Sequence, residues 1–357
     1  MKEGASDLIA RSEHALSSPA RESEKLFRFC DDVLGWDVLV AGIPTEHDGL
    51  MSAVLELRQV SKSYGHFHAV SDLTFSVARG SVYGFLGPNG AGKTTTLRMI
   101  LGMLLPDSGE LSVLGSPSAI AVRGRVGYLP EEKGLYRKMT VASVIAYFAT
   151  LKGLSHGRAD LRARELLARY GLGAVADKKV ETLSKGMGQK VQVLASIAHD
   201  PELVLFDEPF SGLDPVNQEV LEEVLRDLRS RGCTILFSTH VMAHAERLCD
   251  RLLILGGGRR LFEGTPSEAQ AVLPVVITLQ TSEPHPPLGS LPGVRNASDE
   301  GGGWWRLELE PGASSSAVLE ACFERSLRLK RFEVREPDLH EVFVHLVGPA
   351  AREAAPR

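Results

Sequence analysis

Residues 87–95 read GPNGAGKTT, between the apolar run VYGFL at 82–86 and the helix-forming run TLRMILGMLL at 96–105. Strand, glycine-rich loop and helix in that order form the setting that G-x-x-x-x-G-K-[ST] requires, and Gly87, Gly92, Lys93 and Thr94 match it. Glycines let backbone N–H groups turn inward around phosphate oxygens, and a helix N-terminus adds its positive end. Gly87, Pro88, Asn89, Gly90, Ala91, Gly92, Lys93, Thr94 and Thr95 are therefore expected to hold a nucleotide, with Lys93 on the β and γ phosphates and the Thr94 hydroxyl on Mg²⁺.

Downstream, ELVLFDEP at 202–209 is an apolar strand carrying Asp207 and Glu208 at its C-terminal end, the edge where ligands of open α/β sheets sit. Asp207 is expected to hold Mg²⁺ through water, and Glu208 to polarise the attacking water as general base. CTILFSTH at 233–240 ends a further strand at His240, which reaches a γ-phosphate if the two strands are neighbours. NQEVLEEVLRDLRSRG lies between them as a helix. Short apolar runs alternating with helices predict parallel strands buried on both faces.

The rest of the chain is read around this centre. AVLELRQV and LTFSVARGSVYGFL are strand-like, the second running directly into the glycine loop. A helix is expected from Thr94 to about residue 110, stopped by Pro106 and the turn signal PDSG. A helical middle covers roughly 140–200, with apolar spacing in VASVIAYFATL and ARELLARYGL. Beyond Pro274, VVITLQ and WWRLELE read as strands, SSAVLEACFERSL as a helix, and LKRFEVREPDLHEVFVHLV as a strand followed by a helix. This predicts a small α+β domain.

At 357 residues, with 43% hydrophobic and 24% charged residues, the chain has the composition of a folded protein with room for two or three domains. A net charge of −5 without a basic stripe gives no expectation of a nucleic-acid partner. No stretch approaches the roughly 18–20 apolar residues that cross a bilayer. Cys30, Cys233, Cys249 and Cys322 lack metal-ligand spacing and are expected to be reduced thiols. Residues 1–50 have mixed charge and no strong pattern, so they are expected to be an extension outside the fold, with Met51 a candidate native start.

ETLSKGMGQKVQVLASIAHDPELVLFDEP at 181–209 resembles the signature of the ATP-binding cassette family, LSGGQ, followed by its helix and its magnesium strand. The resemblance spans roughly 54–265. It implies a phosphate-loop ATPase fold: a mostly parallel sheet core, an antiparallel β subdomain and a helical subdomain at about 132–198, within a domain at 51–273. An α+β accessory domain at 274–347 and a tail at 348–357 follow. It further implies that Ser184, Lys185 and Gly186 serve the ATP of a partner protomer, in a homodimer closed over two ATP molecules. Asp214, in SGLD at 211–214, is then the acid of the loop crossing that interface, and Tyr64 the aromatic that stacks on adenine.

Two departures from the family pattern stand out. Lys185 and Met187 replace a glycine and a glutamine of the signature, and Glu131, in GYLPEEKGLY, stands where the family commonly has glutamine. An ionised carboxylate accepts hydrogen bonds but cannot donate one, yet it can ligate Mg²⁺. GYLPEE-GLY and the terminal EPDLHEVFV resemble the ATPase subunits of bacterial exporters of the sodium, drug and ABC-2 type. That likeness implies a peripheral subunit on the cytoplasmic face of the plasma membrane, hydrolysing ATP for separate transmembrane permease subunits. The family also has soluble members that act on ribosomes or DNA. This chain has one signature, no heptad run and no basic tract.

Overall fold

Short apolar runs build the central layer. In the computed structural model, which describes residues 53–132, 134–283 and 285–353, the segments β3 (Val82–Leu86), β5 (Val126–Leu129), β6 (Leu203–Asp207), β7 (Thr234–Thr239) and β8 (Arg251–Gly256) are buried almost throughout. They lie in one six-stranded sheet of order β5-β6-β7-β3-β8-β9, parallel except that β9 (Arg259–Gly264) runs antiparallel to β8. Continuous burial is the mark of strands covered on both faces.

One face is covered by α1 (Lys93–Ile100) and by a three-stranded antiparallel sheet of order β2-β1-β4, from β1 (Ala53–Tyr64), β2 (Phe67–Ala78) and β4 (Ser108–Val113). The other is covered by α2 (Val141–Leu151), α3 (His156–Arg169), α4 (Lys185–Ile197) and α5 (Pro215–Ser230). Beyond β9, α7 (Pro266–Gln270) opens with a capping box at Thr265 and Glu268.

A second sheet, of order β11-β12-β10-β13, comprises β10 (Val276–Thr281), β11 (Val294–Gly301), β12 (Trp304–Leu309) and β13 (Leu329–Arg335), all antiparallel. It packs with α8 (Ser315–Glu324) around a core of its own. The last helix, α9 (Leu339–Glu353), leaves that core: Leu339, Val342 and Val347 pack with Leu86, Met242, Ala245, Leu252 and Ile254 of the first domain.

Several elements differ from the sequence reading. LTFSVARGSVYGFL is two strands, because Gly80, at a φ of 73°, turns the chain between β2 and β3 into different sheets. The helix expected to reach about residue 110 ends at Ile100, where Leu101 and a left-handed Gly102 turn the chain away. The polar strand β11 was not expected, and α9 continues to Glu353, into the segment expected to be a tail. The extension expected at 1–50, with Cys30 and Met51, lies outside the described residues.

Candidate functional site

The C-terminal ends of β3, β5, β6 and β7 lie side by side, and the chemistry-bearing residues follow directly from them. Asp207 pairs in register with Ser238, and Leu86 with Thr239, so Gly87, Glu208 and His240 each lie one residue beyond a matched pair. Leu129 pairs with Phe206, which puts Glu131 beyond the same sheet edge as Asp207.

At the glycine loop, Gly92 is the N-cap of α1, with a φ of 100°. A β-carbon there would stand 2.4 Å from the Ala69 carbonyl oxygen, so only glycine fits. The first amides of α1 have no helical carbonyl to bond and face the loop, as at any helix N-terminus. Lys93 is buried, and its Nζ donates to the carbonyls of Gly87 at 2.6 Å and Pro88 at 3.3 Å.

Direct contacts connect the acidic residues to the loop. Thr94 Oγ1 donates to Asp207 Oδ2 at 2.9 Å, and Ser238 Oγ donates to Asp207 Oδ1 at 2.5 Å while accepting the Glu208 N–H at 3.0 Å. Asp207 is 1% exposed, so both carboxylate oxygens are satisfied inside the protein. Glu208 adopts a left-handed backbone, φ 49°, a conformation costing a non-glycine residue roughly 1–3 kcal/mol. Its Oε2 accepts from His240 Nδ1 at 2.9 Å. Its Oε1 makes no hydrogen bond, although Lys93 Nζ stands 3.5 Å away.

Glu131 is exposed; burial first, then the Asp207 charge and least that of Glu131, raise the Tyr128 phenol above its ordinary range against the lowering charge of Arg98. Thr94 and Asp207 form a hard oxygen pair, and Mg²⁺ is commonly held by one or two carboxylates with water and phosphate completing its shell. The residues present fit that ion. Among the described residues no group of three His, Cys, Asp or Glu side chains gathers to hold a metal.

Ser184 caps α4, its side chain accepting the Met187 N–H at 3.2 Å. Lys185 reaches over Gly212, where an added β-carbon would stand 2.7 Å from its Nζ, and Gly186 packs on the Asn217 amide. Asp214 caps α5, accepting from Asn217 N at 2.9 Å and from Asn217 Nδ2 at 2.7 Å. The signature and SGLD thus form one patch. Among the described residues no hydrogen bond or ion pair joins Ser184, Lys185 or Gly186 to the phosphate loop. Tyr64, at the tip of the β1–β2 hairpin, is 48% exposed and pairs with Phe67, itself 60% exposed.

Sequence reasoning missed Phe67, whose partner depends on hairpin register, and, although Ser238-Thr239 before His240 supported a phosphate-sensing strand end, it missed the bonds of Ser238 to Asp207 and Glu208, which depend on the β6–β7 register. It also missed His244, which stacks on Phe210 at 4.0 Å. Cys233, Cys249 and Cys322 are free, and burial raises all three thiols, Cys233 to about 12. Among the described residues no helix is long and apolar enough to cross a membrane.

Comparison with known proteins places these features in context. The family model described as ABC transporter matches residues 70–211, and one described as ATP-binding protein DrrA1-3-like, C-terminal domain, matches 274–347. The chain is 38% identical over 296 residues to the uncharacterized ABC transporter ATP-binding protein YhaQ of Bacillus subtilis, covering 83% of this chain and 99% of that protein. It is 34% identical over 319 residues to Nod factor export ATP-binding protein I of Rhizobium etli, covering 87% and 98%. Linearmycin resistance ATP-binding protein LnrL of Bacillus subtilis is 31% identical over 312 residues, covering 84% and 100%. A solved ATP binding subunit of an ABC transporter superposes with a TM-score of 0.57 at 34% identity, covering 61% of this chain and 92% of that one.

Proposed function

The chain belongs to the ABC transporter family as one of its ATP-binding proteins, and from that premise we propose that it hydrolyses Mg-ATP to drive export through separate transmembrane subunits. The observation that carries this reading is the contact chain Thr94–Asp207–Ser238–Glu208–His240, with Lys93 beside it, at one sheet edge.

In this reading the loop 87–95 binds the phosphates of ATP, with Lys93 turning from the Gly87 and Pro88 carbonyls towards the β and γ phosphates. Thr94, Asp207 and Glu131 hold Mg²⁺, which, when bound, neutralises phosphate charge. Water attacks the γ-phosphorus, Glu208 accepts the water's proton through Oε1, and the bond to the bridging oxygen of ADP breaks. His240 keeps Glu208 oriented through Oε2 and senses the γ-phosphate. Tyr64 stacks on adenine, with Phe67 beside it.

The patch of Ser184, Lys185, Gly186 and Asp214 is not joined to the chain's own phosphate loop, which supports its use by a second copy. A head-to-tail homodimer would then enclose two ATP molecules, each between one protomer's loop and the other's signature. The relative named for Nod factor export supports export as the direction of transport, and the one named for linearmycin resistance fits it; in this reading the chain works at the cytoplasmic face of a membrane.

Substitution of the base tests the chemistry. Glu208→Gln is expected to bind ATP and to release phosphate at under about a hundredth of the wild-type rate, the lower scale of general-base catalysis. Under ATP and Mg²⁺ it is expected to elute as a dimer on gel filtration. Turnover close to wild type would remove Glu208 from the role of base.

A further inference from the structure

α4 is buried along most of its length, yet Gln192 lies in the middle of that face at 6% exposure, between Val191 and Val193. A buried amide is unfavourable unless its hydrogen bonds are made. Gln192 Nε2 donates to the Glu132 carbonyl at 3.0 Å and to the Pro130 carbonyl at 3.4 Å. An amide nitrogen carries two hydrogens, so one side chain can serve both acceptors. Those two carbonyls flank Glu131.

The need for such a support follows from the local sequence. β5 ends at Leu129, and Pro130 has no N–H with which to continue a ladder. The chain therefore leaves the sheet directly before Glu131, and its carbonyls need partners from outside the strand. Gln192 supplies them from a helix whose first residue follows Ser184, roughly two turns away.

We propose that Gln192 is a positioning residue for Glu131: its amide fixes the backbone on both sides of that carboxylate and ties the loop to the helix that carries the signature. This rests on the reading above, in which Glu131 acts at the metal and phosphate. Displacement of α4 at its Ser184 end is then transmitted to Glu131 through two hydrogen bonds. An apolar residue at 192 would preserve the packing and lose the connection.

The test is a double-mutant cycle on the purified full-length protein, reading kcat and KM for Mg-ATP together with the melting temperature. Gln192→Leu removes the amide at similar volume, and Gln192→Met provides a flexible unbranched alternative if the leucine variant does not fold. Glu131→Ala removes the carboxylate and leaves the carbonyls in place. The expected result for the glutamine variant is a fall in kcat of about tenfold, as for a catalytic group slightly misplaced, with little change in KM. In the Glu131→Ala background the same substitution should cause no further loss. Losses that multiply would overturn the proposal while leaving the role of Glu131 intact. Wild-type turnover by Glu131→Ala itself would instead remove Glu131 from the mechanism, and the proposal with it. Wild-type turnover by folded Gln192→Leu or Gln192→Met would overturn the proposal alone.

Discussion

Ser238 shows how much of this site rests on one hydroxyl. It bonds the Asp207 carboxylate and the Glu208 amide at once, in a position with no exposed surface. Ser238→Ala leaves a buried carboxylate oxygen and a buried N–H without those partners, at a cost of about 1–3 kcal/mol. Part of that cost should appear in catalysis, because Asp207 and Glu208 are both oriented by the lost group. The expected outcome is turnover reduced by about tenfold or more, equivalent to ~1.4 kcal/mol on the barrier, with ATP binding retained. Unchanged kcat in steady-state hydrolysis would show that the hydroxyl is structural only. Asp207, Glu208 and His240 were legible from the sequence because an apolar run ending in acids or histidine announces a strand end. The bonds of the neighbouring Ser238 were not, since they depend on the register that sets it opposite Asp207.

Elements carry a different kind of information, exemplified where α4 ends and β5 begins. The Val126 carbonyl accepts from both His199 Nε2 at 3.3 Å and Lys152 Nζ at 3.0 Å. Burial, helped by the nearby Lys152 charge and opposed by the Val126 carbonyl and Asp200, lowers the His199 pKa from 6.5 to about 4. The folded state thus resists a proton that the unfolded chain accepts. His199 contributes its stability in full above pH 6.5, and that contribution is lost as pH falls through about 4, at most on the order of 3 kcal/mol. Urea unfolding at pH 7.5 and pH 5 should therefore show a loss in wild type that is smaller in His199→Asn. An equal loss in both proteins would contradict the assignment. Glu202, lowered to about 2 mainly by Arg125, adds acid sensitivity of the same sign, which the comparison of the two proteins removes.

Sequence periodicity found the long amphipathic elements here and failed at junctions and edges. Gly80 and Gly102 turn the chain inside runs whose composition reads as continuous. VRNASDEG forms β11 because an edge strand of an antiparallel sheet can be almost wholly polar on its solvent side.

Across the whole molecule, the parallel sheet carries at its C-terminal edge the residues proposed to hold ATP, and among the described residues Ser184, Lys185 and Gly186 make no hydrogen bond or ion pair to the phosphate loop. The second sheet keeps its own core, while α9 packs under Leu86 and against α6 (Met242–Leu248), the elements adjoining the phosphate loop and His240. The sequence announced the α+β character of this last region but not the return of α9, because an amphipathic pattern states that a face is buried without naming the surface that buries it. Export as proposed requires that ATP work done at this edge be delivered to separate membrane subunits. It is tested most directly by affinity purification of the tagged Glu208→Gln protein from native membranes with ATP and Mg²⁺, identifying what accompanies it. Recovery of a polytopic membrane protein, dependent on ATP, is the predicted result. Recovery of ribosomal or DNA-associated proteins with no membrane partner would contradict the account.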